Sequence, residues 1–170
     1  MNTREILEHR RAKDQFLATS HQSPLKPSTQ NDFEGLAYFE PDEALVFTLE
    51  VEDADNGVVR VQTSDGQERV YRRAGKVSFE ILGEPAELTL YDTGQEGFFI
   101  PFRDATSGEE TYGAGRYLDI EANRDGTVTI DFNSAYNPFC AYNEAYSCPL
   151  PPIENWLQVP IEAGEKDFAG

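Results

Sequence analysis

The sequence predicts a mainly β protein of the α+β class, in which one N-terminal helix accompanies an antiparallel β-barrel or sandwich-like sheet and a long ordered C-terminal loop. Three observations lead to this fold class. Helical periodicity is confined to residues 3–18. Short apolar segments separated by turn-forming residues follow over 33–132. Beyond residue 133 neither helical nor strand periodicity persists, and prolines become frequent.

The chain has 170 residues, which is long enough for one hydrophobic core and short for two. No internal repeat or low-complexity tract divides it. We therefore expect a single domain over residues 1–170, with the helix and a connector in 1–32, the β body in 33–132 and the ordered loop segment in 133–170.

The composition is strongly acidic, with 31 Asp and Glu residues against 14 Lys and Arg and a formal net charge of -17. Long-range repulsion disfavours nucleic acid and anionic membrane surfaces, so we expect neither as a partner. No apolar run approaches the ~20 residues of a membrane-spanning helix and the charged N-terminus lacks a signal-peptide pattern, which predicts a cytoplasmic protein. An acid-rich chain with only four lysines is typical of a halophilic source, the alternative being an ordinary acidic cytosolic protein.

The first element is a helix predicted over Thr3–Ala18, where an apolar stripe repeats with the helical period. The stripe consists of Ile6, Leu7, Phe16 and Leu17. The solvent side is expected to hold the polar residues His9, Arg10, Arg11, Lys13 and Asp14. Pro24 and Pro27 interrupt residues 20–31, which we expect to form an extended connector lying against the body through Leu25.

Nine short strands are predicted next, over 36–39, 45–52, 58–63, 68–74, 76–81, 86–92, 98–104, 111–121 and 127–132. Three of the intervening turns carry the pairs Asn56-Gly57, Asp65-Gly66 and Asp125-Gly126, in which glycine readily supplies a positive φ. Because such short turns join antiparallel neighbours, we expect a hairpin at each of the three.

A further hairpin is predicted around Ser107-Gly108, and its register decides where two arginines point. A turn centred on this pair places Arg103 opposite Tyr112 and Phe99 opposite Arg116. In that register, Arg103, Tyr112 and Arg116 project from one face of the sheet. An odd-length loop at this turn would reverse the face and separate them.

The next turn, at residues 124–126, is expected to pair Ile120 with Ile130, since this register collects apolar residues on one face. Strand alternation then directs Arg116 inward. An inward arginine needs an anion, because burying an unpaired charge is costly. That anion is either a bound carboxylate or phosphate ligand, or one of the internal acids Asp104, Asp131, Glu144 and Glu154.

Residues 133–155 form a proline-rich segment that we expect to lie as an ordered loop across one end of the sheet. Asn133, Asn137 and Asn155 are candidates for ligand contact. Asparagine also bonds the backbone of its own loop, and this structural interpretation remains open. Glu154 is a candidate general base, the alternative being a capping role for the segment that follows.

The same loop holds the two cysteines of the chain, Cys140 and Cys148. We expect reduced, half-buried thiols, with a disulfide across the loop as the alternative. No metal site is predicted, because structural zinc needs four ligands and both histidines, His9 and His21, lie near the N-terminus. Their distance also argues against a cysteine nucleophile, which needs a nearby base.

Two long motifs in the last third of the chain are distinctive enough to compare with known families. They read PFRDATSGEETYGAGRYL and DFNSAYNPFCAYNEAYSCPLPPIENWLQVPIEAGE, and the likeness extends to the SPL of residues 23–25 and the GLAYF of 35–39. On these motifs the chain resembles, over nearly its whole length, the bacterial and archaeal family catalogued as domain of unknown function 1684. The resemblance implies one complete domain and carries no established activity, cofactor or catalytic residue.

The strand register that brings the arginines to one face, together with the polar residues of the C-terminal loop, predicts a pocket for a small anionic molecule. Arg103 and Arg116 would hold the anion, and Tyr112 and Tyr136 would orient it. The mouth of the predicted pocket is lined by Asn133, Asn137, Glu154 and Asn155. Whether a reaction follows is left open, with acid–base chemistry through Glu154 favoured over thiol chemistry.

Two other classes of function fit the same residues. An interaction module would use Tyr142, Tyr146 and Trp156 as an exposed homodimer or partner surface. A β-barrel that binds flavin or another phosphate-bearing cofactor is the third class, although no motif predicts a cofactor.

Overall fold

A computed structural model describes residues 2–55, 57–94 and 96–168. In chain order, their helices and strands are α1 (Thr3–Thr19), α2 (Pro27–Asp32), β1 (Val46–Leu49), β2 (Val58–Gln62), β3 (Glu68–Ile81), β4 (Glu84–Asp92), β5 (Phe98–Phe102), β6 (Arg116–Ile120) and β7 (Val128–Asp131). Short 3-10 helices occur at Glu43–Leu45, Phe132–Ser134, Phe139–Ala141 and Ile153–Asn155. Asn56, one half of a predicted turn, lies outside the described residues.

The strands form two antiparallel sheets. One contains five strands in the order β2-β3-β4-β5-β6, and the other pairs β1 with β7. Apolar side chains of both sheets meet in a shared core. The predicted mainly β, antiparallel class with an N-terminal helix is confirmed, and the arrangement is sandwich-like. The barrel alternative is wrong, because in the described chain β2 and β6 remain edges of an open sheet.

The turn signals led to one correct hairpin, one isolated bridge in the predicted register and one error. Asp65-Gly66 joins β2 to β3, with Gly66 at φ 86°. Beside Asp125-Gly126, the bridge between Ala122 and Val128 has the predicted register. The predicted pairing of Ile120 with Ile130 is wrong, because β6 pairs with β5 and β7 pairs with β1. The expected hairpin at Asn56-Gly57 is wrong, because β1 pairs with β7 and β2 pairs with β3.

Aromatic packing favours the long-range pairing of β1 with β7. Phe47 on β1 lies 4.9 Å from Phe79 of β3 and 6.0 Å from Phe132, between ring centroids. Phe132 also contacts Phe102 at 5.6 Å. Burying these rings in the shared core stabilises the fold by more free energy than a local two-stranded hairpin could contribute.

Two other predicted strand boundaries changed. The segments predicted at 68–74 and 76–81 form the single strand β3, with a bulge between Arg73 and Gly75. Glycine is required at this bulge, because a Cβ on Gly75 would lie 2.5 Å from Cγ1 of Val51. The strand predicted at 36–39 is reduced to one isolated bridge.

Helix α1 extends one residue beyond its prediction, but it buries a different set of side chains. Leu17 is buried as expected, whereas Phe16 remains 37% exposed. Arg10, expected on the solvent side, is only 8% exposed. Its guanidinium can be buried because it donates to the backbone carbonyls of Phe39 and Asn133 at 2.8 and 3.3 Å.

The connector after α1 also departs from the prediction, because Pro27 begins α2 instead of interrupting a helix. Proline is tolerated in a first helical turn, where its missing N–H would have no intrahelical acceptor. Leu25 packs with Leu17 and Tyr142, so the connector does lie against the body. Neither described helix combines the length and the apolar character needed to cross a membrane.

The acidic residues lie almost entirely at the surface. All 31 belong to the described part of the chain, and there Asp104 and Glu165 are the buried ones. Repulsion among the exposed carboxylates opposes the compact state, and dissolved salt screens it over a Debye length of about 3 Å at 1 M.

We therefore expect the thermal unfolding midpoint to rise by at least about 4 °C between 0.1 M and molar KCl, which corresponds to roughly 1 kcal/mol or more for a chain of this length. Differential scanning fluorimetry across a KCl series measures it. The double variant Glu80→Gln, Glu84→Gln, at two exposed sites, should show a smaller salt dependence. A midpoint that is flat or falls with KCl would refute the screening argument.

Candidate functional site

Arg116 on β6 is the buried cation of the core, with 1% of its surface exposed. Its Nη1 donates to the carbonyls of Ala163 and Glu165, and its Nη2 donates to the carbonyl of Ile161 at 2.9 Å. Asp104 Oδ1 lies 3.6 Å from Nη2. Burial lowers the pKa of Arg116, and the charges of Asp104 and Glu165 oppose that shift.

The predicted register around Ser107-Gly108 is wrong by an odd number of residues. Phe102, not Phe99, lies opposite Arg116. The segment 103–115 is a wide loop closed by its own bonds, including the amide of Thr111 to the carbonyl of Thr106 at 3.1 Å. Turn chemistry alone could not anticipate this loop.

Because of the odd register, the two arginines occupy different places. The guanidinium of Arg103 stacks on the ring of Trp156, 4.7 Å from its centroid. Tyr112 lies elsewhere, with its hydroxyl 3.6 Å from Cys140 Sγ. Arg103, Tyr112 and Arg116 therefore do not come together as the predicted anion-binding group.

Asp104 is the internal acid that neutralises Arg116, which is one of the alternatives that the sequence left open. Asp104 is buried, and its carboxylate accepts hydrogen bonds from the amide of Ile161 and from the hydroxyl of Thr106 at 3.0 and 2.9 Å. The Nη1 and Nη2 atoms of Arg116 are thus held by protein groups, while its buried Nε has no hydrogen-bond partner in the described part of the chain. The bonds and the ion pair support a structural role.

The three asparagines act as backbone staples. Asn155, fully buried, accepts from the amide of Thr89 and donates to the carbonyls of Thr89 and Pro101, joining β4 to β5. Asn133 pairs with both the amide and the carbonyl of Asp42 at 2.9 Å. Asn137 donates to the carbonyl of Lys166 at 3.0 Å. The structural interpretation of these residues therefore has direct support.

Glu154, the candidate base, lies on the outer side of the sheet. It accepts from Arg73 Nε at 3.1 and 3.2 Å and from the hydroxyl of Tyr91. The hydrogen bond to Glu154 is the main reason why the pKa of Arg73 is raised. The role of Glu154 as a general base stays a prediction.

A cleft of about 280 Å³ lies between α1 and the chain around residues 131–136, and we call it the α1 cleft. Two of the predicted ligand residues, Asn133 and Tyr136, line it. The other lining side chains that matter chemically are Arg10, Lys13, Tyr38 and Glu165.

Glu165 lies in one wall of the α1 cleft and bonds two neighbouring side chains. It is 2% exposed, and its carboxylate accepts hydrogen bonds from Lys13 Nζ and from the hydroxyl of Tyr142. Lys13 Nζ also lies 5.2 Å from the ring centroid of Tyr136 and 5.7 Å from that of Tyr142. The lysine is thereby held at the cleft with its charge balanced by Glu165.

Two buried polar atoms of the same cleft lack a hydrogen-bond partner within the described part of the chain. They are Nε of Arg10 and the hydroxyl oxygen of Tyr38. The two side chains are stacked, with Arg10 Cζ 4.4 Å from the Tyr38 ring centroid. Burial raises the pKa of Tyr38, so its hydroxyl keeps its proton near neutral pH. Burial lowers the pKa of Arg10, but the guanidinium stays protonated because its ordinary pKa lies far above neutrality. Both therefore present hydrogen-bond donors.

Sequence reasoning missed Arg10, Lys13, Tyr38 and Glu165. The available signal was on α1, where Arg10 and Lys13 share a helical face with the buried Leu17. A basic pair on the buried face of a helix indicates partners inside the protein, or a ligand. Tyr38 and Glu165 could not be placed, because the bridge that joins them spans most of the chain.

Comparison with known proteins shows the family and the fold. The chain matches the model of a family described as "Protein of unknown function (DUF1684)" over residues 31–166, which confirms the resemblance of the two motifs. It is similar to an uncharacterised protein of Haloarcula marismortui solved in solution by NMR, with 38% sequence identity, a TM-score of 0.74, and coverage of 98% of this chain and 95% of that chain. No curated protein matches.

The buried pair of Arg116 and Asp104 leads to a stability prediction. Asp104→Asn leaves a buried guanidinium without its counter-charge, and we expect a loss of about 3–5 kcal/mol in the free energy of unfolding. Urea denaturation measures the change. The matched control is Asp92→Asn, which removes the more exposed pair with Arg72 and should cost at most about 1 kcal/mol. Equal losses for the two variants would contradict the assignment.

Proposed function

The chain belongs to this family of unknown function, and we propose that it binds a small molecule carrying a carboxylate or phosphate group in the α1 cleft. The observation that carries the proposal is that Arg10 and Tyr38, which both line one cleft, each have a buried donor, Nε and the hydroxyl, without a partner in the described part of the chain. A buried donor without an acceptor is costly, and an anionic ligand oxygen would satisfy both groups.

The hydrogen bonds of the charged cleft residues favour Arg10 as the group that holds an anion. The carboxylates of Glu5, Asp131 and Glu165 also line the cleft, and the last two already accept hydrogen bonds. Glu165 accepts from Lys13 and Tyr142, and Asp131 accepts from the backbone and side-chain nitrogens of Asn133. The guanidinium of Arg10 donates from its Nη atoms only to neutral carbonyls. It therefore keeps positive charge available for a ligand.

The volume of the cleft favours a small ligand. At about 280 Å³ it lies near the lower end of small-molecule sites, which span roughly 300–1,000 Å³. A short carboxylate or inorganic phosphate fits this size better than a flavin would. The anionic pocket expected from the sequence is thus retained as a proposal, with Arg10 in place of Arg103 and Arg116 as the anion-holding arginine.

The geometry gives less support to the interaction module. That hypothesis required Tyr142, Tyr146 and Trp156 to form one exposed patch while Arg103 and Arg116 were both fully paired inside the protein. Tyr142 is 6% exposed and bonded to Glu165, so it belongs to the interior. Trp156, 44% exposed, is partly covered by Arg103. Small-molecule binding is therefore the function we place first.

The test is thermal unfolding against phosphate, acetate, succinate and citrate, followed by calorimetric titration of any compound that stabilises the protein. A ligand at one hundred times its Kd should add about 2.7 kcal/mol. Tyr38→Phe removes only the unpartnered hydroxyl, so the unliganded midpoint should stay the same or rise slightly. The affinity should fall about 2- to 10-fold, the worth of one hydrogen bond.

Tyr146→Phe is the matched control, because Tyr146 is 38% exposed and lies outside the cleft residues. It should bind the same compound as tightly as the native chain. Arg10→Met should abolish binding. The proposal fails if no compound stabilises the native protein, or if Tyr38→Phe and Arg10→Met bind as well as the control.

A further inference from the structure

The two cysteines lie against each other in the C-terminal loop. The amide of Cys140 donates to Cys148 Sγ at 3.3 Å. Cys148 is fixed to the β2–β3 turn, since its amide donates to Ser64 Oγ at 3.1 Å and its carbonyl accepts from the Ser64 amide at 2.8 Å. The Cys148 sulfur is therefore held beside Cys140 by bonds that do not depend on the sulfurs themselves.

Both thiols are free, and each residue is less than a tenth exposed. Their side chains interact directly: the Cys148 thiol is the largest influence that lowers the pKa of Cys140, to about 6, and Cys140 in turn raises the pKa of Cys148. The hydroxyl of Tyr112, 3.6 Å from Cys140 Sγ, adds to the stabilisation of that thiolate. A thiolate at Cys140 beside a protonated Cys148 is the arrangement of an attacking and a resolving thiol.

Small reagents can reach Cys148 from one side. Cys148 lines an open cleft of about 440 Å³ together with Arg69, Tyr71, Phe99, Tyr117 and Phe139, and we call it the aromatic cleft. It is distinct from the α1 cleft, although Tyr136 borders both. Hydrogen peroxide is small enough to enter such a space and approach Cys148, beside which Cys140 lies.

We propose that Cys140 and Cys148 form a reversible dithiol–disulfide site that is oxidised by hydroperoxides. The Cys140 thiolate attacks one peroxide oxygen, an S–O bond forms, the O–O bond breaks, and the departing hydroxide takes a proton to become water. The Cys148 sulfur then attacks the sulfenic sulfur. The S–S bond forms as the S–O bond breaks, and the second hydroxide leaves as water with the Cys148 proton. Two electrons pass from the thiols to one peroxide.

The disulfide would close the loop between Cys140 and Cys148 and fasten it where Ser64 already anchors Cys148. Loop closure restricts the unfolded chain. We expect the oxidised protein to unfold about 5–10 °C higher than the reduced protein. The Cys140→Ser, Cys148→Ser double variant should show no shift after peroxide treatment.

The decisive experiment treats the reduced, folded protein with hydrogen peroxide and follows intact mass and free thiols. We expect a loss of two hydrogen atoms in mass, disappearance of both thiols and full recovery with dithiothreitol. In Cys148→Ser, dimedone should trap a sulfenic acid on Cys140. In Cys140→Ser, peroxide consumption should slow at least 10-fold.

Three outcomes would overturn the proposal. One is folded protein that keeps both thiols under peroxide while the urea-unfolded chain reacts. Another is addition of oxygen to the cysteines without an intramolecular disulfide. The third is equal peroxide reactivity of the two single variants, which would remove the distinction between attacking and resolving thiols. Circular dichroism before peroxide is added checks that each variant is folded.

Discussion

The position of the C-terminal segment depends on the buried guanidinium of Arg116. The guanidinium donates hydrogen bonds to three carbonyls, those of Ile161, Ala163 and Glu165, and the carboxylate of Asp104 balances its charge. A buried cation with this many fixed acceptors is stable only in one arrangement of the backbone that supplies them. The segment that follows the last 3-10 helix has no helix or strand of its own up to residue 168. Isolated bridges and apolar contacts with the core hold it in part, and the bonds to Arg116 fix its backbone at three carbonyls.

The candidate site follows from that arrangement. The carbonyl of Glu165 bonds Arg116, its amide donates to the carbonyl of Ala135, and its carboxylate accepts from Lys13 and Tyr142. One residue thus joins the core of the sheet to helix α1. Arg10, one helical turn before Lys13, is carried into the interior with the helix. The α1 cleft lies beside this connection, and Lys13 and Glu165 both line it.

Much of the fold could be predicted from local patterns, and the candidate site largely could not. The helical period placed α1, and turn chemistry placed the β2–β3 hairpin and the register beside Asp125-Gly126. The β5–β6 register failed because bonds from Asp104 and Thr106 shape the loop between the strands. Arg10 appeared solvent-facing because the carbonyls that receive it come from distant segments. Local rules carry no information about such long-range acceptors.

Native-state hydrogen exchange of Arg116→Met tests the central claim most directly. If Arg116 holds the C-terminal segment, the amides of Leu157, Ile161 and Glu165 should lose protection in the variant by on the order of 100-fold or more. Protection in the β3–β4 hairpin, whose ladder does not involve Arg116, should change far less. An equal loss of protection in the two regions would mean that Arg116 contributes only to global stability, and the account of the C-terminal segment would be wrong.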